Sequence, residues 1–164
     1  MHELLRSNEI SLCIEPWRAL LDQAGFTLAR VKWIRQSSKG GALVLVDANF
    51  NHLSEQWFNT DFIPGPIHIP QRQNSTWVNN DFIASVAGNT CMESDILTWR
   101  KKNFEHVPER DDLLAYVNTA WYQMDSNETD FHQIPLPTKL AVFRWLNGNI
   151  RYKKDTEFSQ LDLI

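Results

Sequence analysis

The chain predicts a mainly β domain, a barrel or a sandwich, preceded by one short β/α unit. Three observations carry this expectation. Short apolar or alternating runs recur along most of the chain, separated by turn residues. Helical periodicity is confined to a few short stretches. The first fifteen residues follow another plan, with a buried-looking run that ends at Glu15-Pro16.

Taken in order, residues 26–35 alternate well enough for a half-buried strand. Gly40-Gly41 marks a turn, and the β-branched apolar run 42–47 reads as a buried strand. Pro64-Gly65-Pro66 is a firm break. The proline-flanked segment 67–70 predicts an edge strand. Residues 82–87 form a further strand, and 112–118 another after a polar turn. Residues 139–145 and 150–153 flank Leu146-Asn147-Gly148-Asn149, a hairpin signal. Helix is expected only at 17–24, at 53–57 and over the last ten residues. A short helix-like start ends near Ser7-Asn8. Residues 10–14 then look like a buried strand with polar residues at its carboxyl end, where parallel α/β architectures build active sites. No repeat, low-complexity tract or linker interrupts the chain.

A chain of 164 residues suits one domain and can bury a sizeable core. Its net charge of −4 comes with no basic block, which argues against nucleic acid or an anionic membrane as the main partner. No apolar run approaches the roughly 20 residues that span a bilayer. Residues 1–6 lack the basic start and apolar stretch of a secretory signal. The two cysteines, Cys13 and Cys91, lie far apart, so a reducing compartment and hence the cytoplasm are expected. No metal site is expected. Seven tryptophans and nine phenylalanines either build a large aromatic core or lie partly against a partner chain.

The most informative stretch is Val86-Ala87-Gly88-Asn89-Thr90-Cys91-Met92-Glu93-Ser94-Asp95-Ile96-Leu97. A lone cysteine follows a glycine turn, and two carboxylates follow within four residues. Unaided, such a cysteine is more often an inert core residue, and nearby carboxylates disfavour its thiolate.

Three motifs in one order change the weight of that reading. Glu15-Pro16-Trp17-Arg18-Ala19-Leu20-Leu21 is followed by Gly88-x-x-Cys91-x-x-x-Asp95. Then comes the run from Asp112 through Asn118-Thr119-Ala120-Trp121 to Tyr122. Val46-Asp47-Ala48-Asn49-Phe50-Asn51 supports them. Together they resemble the C-terminal half of the pyridoxal-phosphate-dependent amino-acid decarboxylases of the alanine-racemase-like fold. These are the ornithine, arginine and diaminopimelate enzymes, and the pattern here is nearest to the siderophore-biosynthesis branch. The resemblance implies a Greek-key-like β-barrel over residues 25–164. Residues 1–24 become a remnant of the last βα unit of a TIM barrel.

The resemblance also implies roles. Glu15 faces the pyridine nitrogen and keeps it protonated, which improves the ring as an electron sink. Arg18 and Tyr122 reach the cofactor phosphate, where an arginine fork makes charge-assisted hydrogen bonds. Cys91 enters the active site of the partner subunit and does general-acid work at the carbon to be reprotonated. Asp95 holds an acidic position in the same loop, and Glu93 has no assigned role. Taken singly, Glu15 also reads as a solvated loop carboxylate and Tyr122 as a core tyrosine.

This chain departs from the family pattern in three respects. Trp17 and Trp121 stand where small residues leave room beside the phosphate. The family's cofactor-bearing lysine lies in the TIM barrel, which this chain lacks, and none of its seven lysines sits in a matching motif. Met92 and Ser54-Glu55-Gln56 replace groups that bind the far end of diaminopimelate, which argues against that substrate. The expected protein is therefore the C-terminal part of a decarboxylase, as a fragment or split subunit. It would use pyridoxal phosphate only with a complementary N-terminal barrel, in a homodimer or heteromer, on a small amino-acid-type substrate. The alternative is an inactive interaction module derived from such an enzyme.

Overall fold

The computed structural model describes residues 7, 11, 13–14, 20–21, 23–36, 41–49, 65–72, 82–98, 100–120, 135–144 and 148–154. These hold eight strands: β1 (Phe26–Gln36), β2 (Ala42–Val46), β3 (Ile67–Ile69), β4 (Phe82–Ala87), β5 (Lys102–Phe104), β6 (Leu113–Val117), β7 (Leu140–Arg144) and β8 (Ile150–Lys154). Six of them form one sheet in the order β3-β6-β1-β2-β4-β5. The pairing of β2 with β4 is parallel and the other four pairings are antiparallel.

Strand β1 organises this sheet. Its first half pairs with β6, from Phe26 opposite Val117 to Arg30 opposite Leu113. Its second half pairs with β2, from Val31 opposite Val46 to Gln36 opposite Ala42. The register slips between Val31 and Trp33, so Lys32 is the extra residue of a β-bulge. The bulge changes the phase of the alternation. Ala29 and Val31 face the core before it and Ile34 packs against the core after it, while Trp33 is left exposed.

The inward faces of β1, β2, β4 and β6 supply Ala29, Val31, Val44, Val46, Ala84, Val86, Leu114 and Tyr116 to one core, with Phe82, Leu97 and Phe104. Each valine and leucine among them contributes about 1.5–3 kcal/mol on full burial. The sheet edges also meet. His68 on β3 packs edge-to-face on Phe104 of β5, with ring centroids 5.8 Å apart. The Lys102 stem lies so close to Gly65 that a Cβ there would come within 3.2 Å of its Cδ. The sheet is thus curled into a nearly closed barrel, as the fold class predicted. Strands β7 and β8 pair antiparallel as a separate two-stranded sheet, and Gly148 just before β8 has a φ of +83°, which glycine adopts without strain.

The predicted strands at 26–35, 42–47, 67–70, 82–87, 112–118, 139–145 and 150–153 match β1–β4 and β6–β8 within a residue or two, and β3 is an edge strand as expected. Strand β5 was not expected. The expected buried strand at 10–14 is corrected. Ser11, Cys13 and Ile14 are exposed and lie in no strand. An apolar run becomes a buried parallel strand only with neighbours to pair with, and none is present among the described residues. Leu20 and Leu21 are helical, within the stretch expected to be helix, whereas the expected helices at 53–57 and 155–164 lie outside the described residues.

Candidate functional site

The loop that follows β4 is closed at its neck. Ala87 bridges Ile96, the Gly88 N–H donates to the Asp95 carbonyl at 2.9 Å, and the Leu97 N–H donates to the Val86 carbonyl at 2.7 Å. Below the neck the buried Thr98 hydroxyl accepts the Val86 N–H at 2.9 Å. The Asn89 N–H ties the loop to the end of β2 by donating to the Ala48 carbonyl at 3.2 Å.

Asp95 lies inside this loop and is 2% exposed. Its Oδ2 accepts the Thr90 N–H at 3.0 Å and the Thr90 hydroxyl at 2.6 Å. The carboxylate sits against the Cα of Gly88, where a Cβ would overlap it. Glycine is required there by space rather than by φ. In contrast, Cys91, Met92, Glu93 and Ser94 form an exposed tip. The structure therefore separates the two predicted residues of this loop. Cys91 is presented outward and is not buried filler, while Asp95 faces inward and holds the turn. Thr90 was not singled out from the sequence. A threonine five residues before an aspartate in a polar turn is the signal that marks it.

Glu15, Arg18, Tyr122, Trp17 and Trp121 lie outside the described residues. Their described flanks are joined. The Gln23 N–H donates to Asn118 Oδ1 at 2.8 Å, and the Thr119 N–H donates to the Gly25 carbonyl at 3.1 Å. The Thr27 and Thr119 hydroxyls lie 2.8 Å apart. Gly25 has no room for a Cβ because Ala120 packs on it. The chain leading from the Arg18 segment and the chain leading into the Tyr122 segment thus meet, although about a hundred residues separate them in sequence.

A second polar cluster lies where β3 pairs with β6. His68 Nε2 lies 2.8 Å from Asp112 Oδ2, and both side chains are nearly buried. The N–H groups of Glu109 and Gln71 donate to the same carboxylate at 2.8 and 2.9 Å. Burial acts to raise the Asp112 pKa, but these N–H donors and the His68 bond and charge outweigh it and hold the carboxyl below its ordinary range. Asp112 is therefore ionised and Nε2–H is the donor. Tyr116 is a core tyrosine whose hydroxyl is pushed far up by burial, so it stays neutral. No group of His, Cys, Asp and Glu among the described residues is arranged to hold a metal ion.

Residues 19–120 match the family model described as pyridoxal-dependent decarboxylase, C-terminal sheet domain. The uncharacterized protein y4yA of Sinorhizobium fredii is 31% identical over 147 residues, which is 90% of this chain and 32% of that protein. The chain thus spans about a third of the length of that curated relative. Among solved structures, the carboxynorspermidine decarboxylase of Campylobacter jejuni, complexed with norspermidine, superposes with a TM-score of 0.65 at 20% identity. That match covers 98% of this chain and 43% of that one. The diaminopimelate decarboxylase of Helicobacter pylori, complexed with L-lysine, gives 0.64 at 18% identity over 93% of this chain and 35% of that one. These structural likenesses establish the fold.

Proposed function

This chain belongs to the pyridoxal-dependent decarboxylase family as its C-terminal sheet domain, and we propose that it completes the active site of an amino-acid decarboxylase across a dimer interface. The observation that carries the reading is the Cys91 loop, pinned at its neck and exposed at its tip. A barrel domain, borne on the same polypeptide or another, supplies the cofactor's lysine and the rest of the site. Residues 1–24 are the end of that barrel and residues 25–164 the sheet domain. Exposed Phe26, Leu28, Ile67 and Val117 on the outer face of β1, β3 and β6 support a covering partner. The unpaired Cys13 and Cys91 suit the cytoplasm.

Bound pyridoxal phosphate supplies the electron sink that lets carbon dioxide leave. Arg18 and Tyr122 hold its phosphate, and Glu15 keeps its ring nitrogen protonated. Cys91 gives the proton on its Sγ to the carbon that carbon dioxide has left. The substrate is a small amino-acid-type molecule, and Met92 argues against diaminopimelate.

Assembly of the chain with its barrel domain tests this. The expected result is visible cofactor absorbance and carbon dioxide release that neither part gives alone. Full absorbance without carbon dioxide release from any amino-acid-type substrate would instead identify an inactive interaction module.

A further inference from the structure

We infer that Asp95 is a positioning residue for Cys91, acting by shape and hydrogen bonding and not by proton transfer. The inference rests on the reading that Cys91 works in the active site. Four observations converge on it. The Asp95 side chain is buried while the four residues before it are exposed, so it cannot reach what the tip reaches. Its Oδ2 takes both the N–H and the hydroxyl of Thr90, the residue bonded to Cys91. The Thr90 hydroxyl oxygen in turn accepts the Met92 N–H at 3.3 Å, on the other side of Cys91. The Asp95 N–H donates to the Met92 carbonyl at 3.1 Å. The backbone on both sides of Cys91 is thereby referred to one buried carboxylate, which rests on the bare Cα of Gly88.

Such a clamp fixes where the thiol is presented, and a misplacement of about 1 Å can cost as much as 100-fold in rate. The clamp needs an oxygen acceptor at the Oδ2 position. It does not need a titrating group there. An amide oxygen can serve, because both Thr90 groups are donors.

The test compares Asp95→Ala with Asp95→Asn in the chain assembled with its barrel domain. Asp95→Ala should lower kcat about 10-fold or more with KM within about threefold, and Asp95→Asn should recover kcat to within about threefold of the parent. An Asp95→Asn enzyme as slow as Asp95→Ala would overturn the inference, since the amide keeps an oxygen that can accept both Thr90 groups. Should Asp95→Ala not fold, Thr90→Val against Thr90→Ser asks the same question. Valine should lose kcat and serine keep it, and equal rates would overturn the clamp.

Two further measurements separate this inference from the proposed function. Cys91→Ala with parental kcat would sink the role given to Cys91. Exchange of the Thr90 amide hydrogen reads the clamp without catalysis. It should be about 10-fold faster in Asp95→Ala than in Asp95→Asn, and equal exchange would overturn the clamp whatever Cys91 does.

Discussion

Asp95 and Asp112 are both buried aspartates that collect backbone N–H groups, and they hold different things. Asp112 collects donors from His68, Gln71 and Glu109, which come from β3, the segment after it and the loop before β6. It ties together parts of the chain some 40 residues apart where β3 pairs with β6, beside the contact of His68 with Phe104. Asp95 accepts two hydrogen bonds from Thr90, five residues away. A long-range tie secures the whole barrel, whereas a short-range tie secures one loop. Loss of Asp112 should therefore read out as global stability, and loss of Asp95 as the behaviour of the Cys91 tip.

The largest effect expected is that of Asp112→Ala. It leaves His68 and two N–H groups buried without their acceptor, which costs about 3–5 kcal/mol by analogy with broken buried pairs. Urea denaturation should show that loss, with the loop at 88–95 unaltered in the fraction that remains folded. A change below about 1 kcal/mol would mean that the seam is held by its apolar contacts alone.

Gly88→Ala comes next. The added Cβ displaces the Asp95 carboxylate from a buried place, at a cost of about 1–3 kcal/mol. The comparison predicts that this substitution also speeds exchange of the Thr90 amide, while Asp112→Ala speeds exchange throughout β3 and β6. If Gly88→Ala instead loosened β3 as much as its own loop, the two aspartates would not be independent.

The pH dependence of stability sharpens the contrast further. The Asp112 carboxyl is depressed in the folded state, so the folded chain binds its proton less readily than the unfolded chain. Its contribution is complete above the ordinary value of 3.8 and is lost as pH falls below that, through the depressed folded value. The urea midpoint of the parent chain should therefore fall more steeply below about pH 4 than that of Asp112→Asn. Equal slopes would place the acid sensitivity elsewhere.

The two clusters also differ in how far the sequence discloses them. The Cys91 loop is local. Its glycine, cysteine and aspartate lie within eight residues, and their spacing was legible as a motif. What spacing could not say is that Asp95 turns inward, because that depends on the neck between Ala87 and Ile96. The His68–Asp112 pair spans 44 residues and exists only because β3 pairs with β6, so no local pattern announces it. Alternation made β4 legible and also the first half of β1. The bulge at Lys32 then reversed the phase, which put Trp33 outside. Strand β5 has three residues, Lys102-Asn103-Phe104, too few to show a period. Residues 10–14 read as a buried strand because an apolar run reports what could be buried. It does not report whether a neighbour is there to bury it.

The smallest prediction asks whether the seam carries strain that the loop does not. Asp111, beside the long-range tie, has a φ of 76°, a left-handed conformation that costs a residue with a Cβ about 1 kcal/mol. Its N–H donates to the Val31 carbonyl at 2.9 Å, and the next residue is the Asp112 that bonds His68. Asp111→Gly removes the strain and keeps the backbone bond, but it also frees the unfolded chain, so the net gain is about 0.5 kcal/mol. Gly88 lacks a positive φ and is glycine for space alone, so adding a methyl there destabilises, while removing the side chain at Asp111 stabilises. Opposite signs for Gly88→Ala and Asp111→Gly in urea denaturation would confirm that the loop is limited by volume and the seam by backbone geometry. A loss in Asp111→Gly would mean that its carboxylate contributes more at the seam than its strain costs.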